Sequence, residues 1–385
     1  MKTDSSNNAD FEPSSAITDD VNAEIEQLDY IGLRMALGNS RPRRLIRKFA
    51  RDCLLNKLNF AKTWMARGPF PHMQAHGLSN LRQALAMGKG VVIAACHVGQ
   101  YHRIPFLLND LDVPVTLLLD QENQAREEQE LAGWSALYQG TLERPMEYVN
   151  AELPTSPWRM SQALKQGRAL FVYMDGGTGL KDADPARTCV EVKFLKLLLR
   201  VRKGLAYIAG HAGAPIVPAT CSMSAGGEQS VTFCHPCILN DGETLDAYCV
   251  RALQYCYSIL EERVLLDPAC WEEWYHVHRW VVYPGSAGMH SQALQTDIDP
   301  SHKIELQFDG ENTEILKMPS GPALFHTATG MAIIANPTVM AVLYAARRPV
   351  SVPDLLAAFP GEQADVEPML MLQQLKAAGF LRRIR

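Results

Sequence analysis

The 385-residue chain has no large excess of charge of either sign: 37 Lys and Arg against 42 Asp and Glu leave a formal net charge of -5. A field that weak gives the protein as a whole no electrostatic reason to bind nucleic acid. The chain also lacks an unbroken apolar run of the roughly 20 residues that a membrane span needs. Its longest candidate, Gly321 to Ala346, is interrupted by His326, Thr327, Thr329, Asn336 and Pro337. Met1 to Asn22 is rich in Ser, Asn and Asp, with neither the basic start nor the apolar centre of a signal peptide. This composition predicts a flexible tail, which we place at 1–30.

A disulfide framework is missing too. The nine cysteines, Cys53, Cys96, Cys189, Cys221, Cys234, Cys237, Cys249, Cys256 and Cys270, are odd in number and irregularly spaced. The expected compartment is therefore the reducing cytoplasm. Cys234-His235-Pro236-Cys237 supplies half of a zinc ligand set without a second pair, and it falls on an expected strand, so buried thiols and no metal are expected. Asp175-Gly176-Gly177-Thr178-Gly179 lacks the Lys and Ser or Thr that follow in a nucleotide-binding loop, and reads as a lid over a cleft.

What remains is the ordinary balance of a globular protein, 47% hydrophobic and 21% charged. The length suits two folded units. A basic amphipathic helical pattern runs from Ile31 to Ala66, with Arg41, Arg43, Arg44, Arg47, Lys48 and Arg51 between apolar residues. It reads as a solvated face or as a surface for anionic lipid or an acidic carrier protein. The second reading keeps peripheral contact with an inner membrane open.

Apolar strand candidates at Gly90 to Cys96, Val113 to Leu119, Ala169 to Met174 and Pro215 to Cys221 alternate with helical stretches near 78–87, 101–109 and 203–212. This alternation predicts an α/β sheet covered on both faces. A long helix is expected from Thr244 to about Leu265, ending before Pro268. The Pro- and Gly-rich 283–302 separates this domain, placed at 31–290, from a smaller unit at 304–385, with 291–303 as linker. In the smaller unit, short strands precede a helix opened by Asn336 and Pro337, a second opened by Ser351 and Pro353, a third at 365–378, and a last strand, the order of a winged helix-turn-helix.

The sharpest chemical signal is Val91-Val92-Ile93-Ala94-Ala95-Cys96-His97-Val98-Gly99-Gln100-Tyr101-His102. A buried strand runs straight into a His, which places an imidazole at the carboxyl edge of the sheet, where α/β ligand sites form. Met87-Gly88-Lys89-Gly90 leads into that strand. Gly167-Arg168 leads through a second strand to Asp175. Val192-Lys193-Phe194-Leu195, Lys203 to Ala209 and Gly213 to Pro218 follow, and Glu261, Pro268, Trp271, Trp274, His278, Arg279 and Trp280 close the domain.

In this order and spacing the blocks, from Ile31 to Val282, resemble the lysophospholipid acyltransferase superfamily, and within it the lipid A late acyltransferases. The resemblance implies an acyltransferase-type mixed sheet flanked by helices. It also implies a general base at His97 that moves an acyl group from an acyl carrier protein or coenzyme A thioester to an amine or hydroxyl, with no other cofactor. His97 and Gly99 match the family's His-any-Gly-Asn-Trp-Glu string, and Gln100 and Tyr101 are related to it, but His102 stands where the family has a carboxylate. Either Asp175 or Asp120 replaces that carboxylate in space, or His102 acts as a neutral acceptor, or the site is dead and the protein only holds an acyl-lipid or acyl-peptide. A thioesterase is the further alternative.

Backbone amides near Gly99, together with Tyr101, Arg200, Arg202 and Lys203, are candidates for substrate contacts: the amides for the developing oxyanion, the basic groups for a phosphopantetheine phosphate or the oxyanion, with plain surface charge as the alternative for each basic group. The three tryptophans read as core or as the wall of an acyl tunnel. The small C-terminal unit is similar in outline to the winged-helix modules that bind leader peptides, which implies a peptide- or carrier-tethered acceptor; an interaction or dimerisation appendage is the alternative.

Overall fold

The computed structural model describes residues 15–65, 73–120, 146–176, 185–224, 228–283, 298, 304–318, 321–357 and 367–384. The chain divides into two compact units, one of Gly32–Val282 and one of Met1–Ile31 with Tyr283–Arg385. Most of the expected linker and the Gly177 to Gly179 part of the expected lid lie outside the described residues.

The larger unit is built on strands β1 (Met73–His76), β2 (Val91–Ala95), β3 (Val115–Leu119), β4 (Glu147–Asn150), β5 (Ala169–Tyr173), β6 (Cys189–Phe194), β7 (Leu197–Arg202), β8 (Ile216–Met223) and β9 (Gln229–Phe233). Seven of them form one sheet in the order β1-β9-β8-β2-β5-β3-β4. All its neighbours are parallel except β8 and β9, which makes the sheet mixed. β2 is buried at all five positions, as a central strand covered on both faces must be. Helices Leu78–Ala86, Ile104–Asp110, Ser156–Lys165, Gly204–Ala212 and Leu245–Leu266 flank the sheet. The last is capped by the Thr244 hydroxyl, which accepts the Ala247 N–H at 3.3 Å.

Three expectations need correction. The basic helical stretch is broken at Gly38–Ser40 and Pro42, giving helices Ser15–Leu37 and Arg43–Met65 rather than one. The block around Phe194, which in the resembled family is a phenylalanine-bearing loop, is here no loop: β6 and β7 pair as a separate antiparallel hairpin. Cys234 to Cys237 lies past the end of β9 instead of on a strand.

In the smaller unit, β10 (Glu305–Phe308), β14 (Val350–Ser351) and β15 (Leu381–Arg383) form one antiparallel sheet, and β11 (Thr313–Met318), β12 (Gly321–His326) and β13 (Ala332–Ile334) another. Helices Pro337–Ala345, Val352–Ala357 and Pro368–Ala377 close over a core that includes Leu306, Leu324, Val342, Leu355, Leu372 and Phe380. Asn336 caps the first of them by accepting the Val339 N–H at 2.8 Å.

Residues 15–30, expected to be part of a flexible tail, are helical. Asp29, Tyr30 and Ile31 are buried, and the Tyr30 hydroxyl donates to Glu314 Oε2 at 2.7 Å. A partner 284 positions away holds this helix, which a composition argument about a polar terminus does not register.

Candidate active site

β2 and β5 lie side by side with Ala95 opposite Tyr173. Two residues beyond each strand, the same register brings His97 against Asp175. The Asp175 side chain is fully buried, and its Oδ1 lies 2.8 Å from His97 Nδ1. Its Oδ2 accepts the backbone N–H of His97 at 2.9 Å and the indole N–H of Trp271 at 2.6 Å. Three donors thus hold one carboxylate, which fixes the ring's orientation and directs Nε2 away from it. Nε2 has no hydrogen-bond partner among the described residues, and the His97 side chain is 17% exposed.

The segment after His97 is pinned to the stretch around Trp271. Gly99 N–H donates to Cys270 O at 3.0 Å, Glu272 N–H donates to His97 O at 2.9 Å, and Val98 bridges Trp271. Gly99 sits at φ +60°, a conformation that favours glycine, and a Cβ there would stand 3.4 Å from Cys221 Cβ. Of the backbone amides expected near an oxyanion, that of Gly99 donates to a carbonyl here. The Val98 amide is committed as well, to Cys96 O at 2.7 Å.

Aromatic rings wall the imidazole. Tyr101 meets it edge-on and Tyr173 at a tilt, each with its centroid 4.7 Å away. The Tyr101 hydroxyl donates to Glu272 Oε2 at 3.2 Å. His102 packs on Tyr101, with ring centroids 3.8 Å apart, and does not take the carboxylate's place at Nδ1 of His97. Asp120, buried one residue past β3, belongs to a strand separated from β2 by β5. Of the three alternatives for the missing carboxylate, Asp175 is the group in contact with the ring.

A second carboxylate went unrecognised in the sequence. Glu273 Oε1 lies 3.9 Å from His97 Nδ1, and its Oε2 lies 2.7 Å from Nδ1 of His276. The available signal was the acidic pair Glu272-Glu273 between Trp271 and Trp274.

Burial pulls the His97 imidazole toward neutrality, but the charges of Asp175 and Glu273 and the hydrogen bond from Asp175 outweigh it, raising the ring's pKa from 6.5 to about 10. The resting ring is therefore an imidazolium at neutral pH. Burial pushes the Glu272 carboxyl up to about 7 against the pull of His97 and Lys57. Burial also raises the Tyr101 hydroxyl well above its usual range, with Glu272 adding to the effect.

The basic candidates do not gather at this ring. Arg200 lies 3.6 Å from Glu191 on the paired strand, and Lys203 lies 2.7 Å from Asp246 at the start of the long helix. Arg202 ends β7 on an exposed position. Trp271, Trp274 and Trp280 are buried; Trp271 and Trp274 pack with centroids 4.7 Å apart, and Phe194 sits 5.2 Å from Trp271. This is close packing of a core. Among the described residues no group of three His, Cys, Asp or Glu is arranged to hold a metal ion, and no helix is long and apolar enough to cross a membrane.

No protein-family model matches the sequence, and no curated protein matches it.

Proposed function

We propose that the protein is an acyltransferase in which His97, held by Asp175, takes a proton from an amine or hydroxyl acceptor. The observation that carries this reading is the 2.8 Å contact between Nδ1 and a fully buried carboxylate, with Nε2 left unpartnered by the described residues. In the proposed step the acceptor's N–H or O–H proton passes to Nε2. Its lone pair attacks the carbonyl carbon of an acyl thioester, the C–S bond breaks, and the departing thiolate receives the proton from the imidazolium. Asp175 stabilises that imidazolium without itself taking the proton. The donor is an acyl carrier protein or coenzyme A thioester, used as a co-substrate in the cytoplasm.

Because the free ring is protonated, the pH dependence is steep. kcat/KM is expected to rise about tenfold per pH unit from pH 7 upward and to level near pH 10.

The element order of the smaller unit suits a winged helix-turn-helix, and its short antiparallel sheets offer edges to which an extended peptide or carrier segment can add. In this reading it presents the acceptor.

The raised His97 pKa also favours a second reading, a non-catalytic protein that uses a fixed imidazolium to hold an acyl-lipid or acyl-peptide. Incubation with an acyl thioester and a panel of amines and alcohols separates the two. Transfer that drops about 10²- to 10⁴-fold in His97→Ala supports catalysis. Release of free acid alone indicates a thioesterase, and no turnover at pH 9 by the unmodified protein leaves only binding.

A further inference from the structure

β8 pairs with β2 only as far as Ala219 and then runs four residues further, paired with β9. Where these two strands meet β1 and the end of the helix Leu245–Leu266, they border a cleft open to solvent, of about 470 Å³. It adjoins the His97 segment without being part of it: Cys221 of β8 abuts Gly99, and Arg103 donates to Gln229 in the cleft wall.

The wall carries opposed charges. On one side is Arg263, whose Nε is buried without a hydrogen-bond partner and whose guanidinium forms no ion pair among the described residues. A buried donor left this way costs free energy comparable to a lost hydrogen bond, and a planar guanidinium fork matches a carboxylate. The wall also carries the carboxylates of Glu228 and Asp267, and one oxygen of Asp267 already accepts the Ala269 N–H at 3.0 Å. Ser222 and Ser230, with hydroxyls 2.7 Å apart, add neutral partners. With one cation and two anions, the site does not suit a bare anion, which the carboxylates would repel. It suits a ligand that carries both signs.

We infer that this cleft binds a small zwitterion of the amino acid class, its carboxylate on Arg263 and its ammonium toward Glu228 and Asp267. The site stands apart from the acyl-transfer reading, since its occupancy is read by binding whether or not the protein turns over a thioester.

Isothermal titration of the full chain with each proteinogenic amino acid tests it. For any that binds, the N-acetyl derivative, the methyl ester and inorganic phosphate are titrated in parallel. Saturable binding of at least one amino acid is expected, with the acetyl and ester forms each about tenfold weaker or more, as loss of one charged contact requires. Arg263→Gln is expected to weaken the amino acid about tenfold and to leave the ester nearly unchanged. Glu228→Gln, at an exposed position that does not threaten folding, is expected to weaken the amino acid and not its N-acetyl form. The inference is overturned if no amino acid binds up to roughly 10 mM, if phosphate or the N-acetyl form binds as well as the parent, or if both variants bind like the unmodified chain.

Discussion

Each unit sets a histidine against an aspartate, and the two pairs differ in what surrounds them. In the larger unit His97 Nδ1 lies 2.8 Å from Asp175, with Glu273 at 3.9 Å, and the ring keeps an exposed edge between two tyrosines. In the smaller unit His326 is 3% exposed; its Nε2 lies 3.4 Å from Asp309 and its Nδ1 lies 3.0 Å from the Thr329 hydroxyl. A Cβ at Gly379 would stand 2.6 Å from the His326 ring, so nothing can approach from that side.

Burial lowers the pKa of His326 despite its aspartate, whereas at His97 two carboxylates overcome burial. Both nitrogens of His326 are engaged, which suits a structural joint. His97 has one nitrogen engaged and one directed outward, which suits proton transfer. The chemistry of a His–Asp pair is thus set by its second neighbour and by whether an edge of the ring stays open, more than by the pair itself.

Asp175→Asn should break this contrast most severely. The amide cannot hold the ring in the same tautomer or balance its charge, so kcat is expected to fall about 10⁴-fold. Breaking a buried pair should also cost about 3–5 kcal/mol by chemical denaturation. The His97 ring, followed by NMR titration, should lose its high pKa. His326→Gln is the control, expected to lower the melting temperature while leaving transfer within about twofold; an equal loss of transfer would erase the distinction.

The two pairs should also respond to pH with opposite sign. His97, raised above its unfolded value of 6.5, contributes stability in full below pH 6.5 and loses it as pH rises through about 10. His326 is lowered, so its contribution is present above pH 6.5 and is lost as pH falls through its folded value. Asp309, also held below its usual range by its hydrogen bonds to Asn312 and His326 despite burial, adds to the acid loss at lower pH. Because burial also lowers His278 of the larger unit to about 4, both units lose stability toward acid, and the contrast is read ring by ring: NMR titration from pH 5 to 10 should show His97 titrating well above 6.5 and His326 below it.

Trp271→Phe sharpens the comparison at lower cost. It removes one of three donors to Asp175 and keeps most of the packing, for an expected destabilisation of about 1.5–3 kcal/mol. Transfer should fall less than in Asp175→Asn. Arg200→Gln should do least: its ion pair with Glu191 is more than a third exposed on both sides, worth about 0–1 kcal/mol, and transfer should stay within about twofold. A tenfold loss there would return the basic candidates to the site.

Much of the fold was legible where one signal dominated. The apolar run of β2, the cap Asn336 and the long helix beyond Thr244 sit where their chemistry predicts. β1 and β4, four residues long and only partly buried, carry too little periodicity to be told from loops, and β6 with β7 alternates in burial as a hairpin rather than a central strand. At the site, His97 and Asp175 were both visible as residues at strand ends. The choice among Asp175, Asp120 and His102 was not, because it depends on which strand lies beside β2, and strand order is invisible in a linear pattern.

What the amino-acid order determined alone is the local grammar: which stretches bury themselves, where helices start, and that an imidazole ends a buried strand. Only the tertiary structure decided which carboxylates stand beside that imidazole, that the Gly99 amide is already spent on Cys270, and that the helix before Gly32 is held by Glu314. The reason is range. Capping and periodicity act over a few residues, whereas the hydrogen bonds that hold Asp175 join groups 78 and 96 positions apart and the one that holds the first helix joins groups 284 apart, and only tertiary packing brings such groups together.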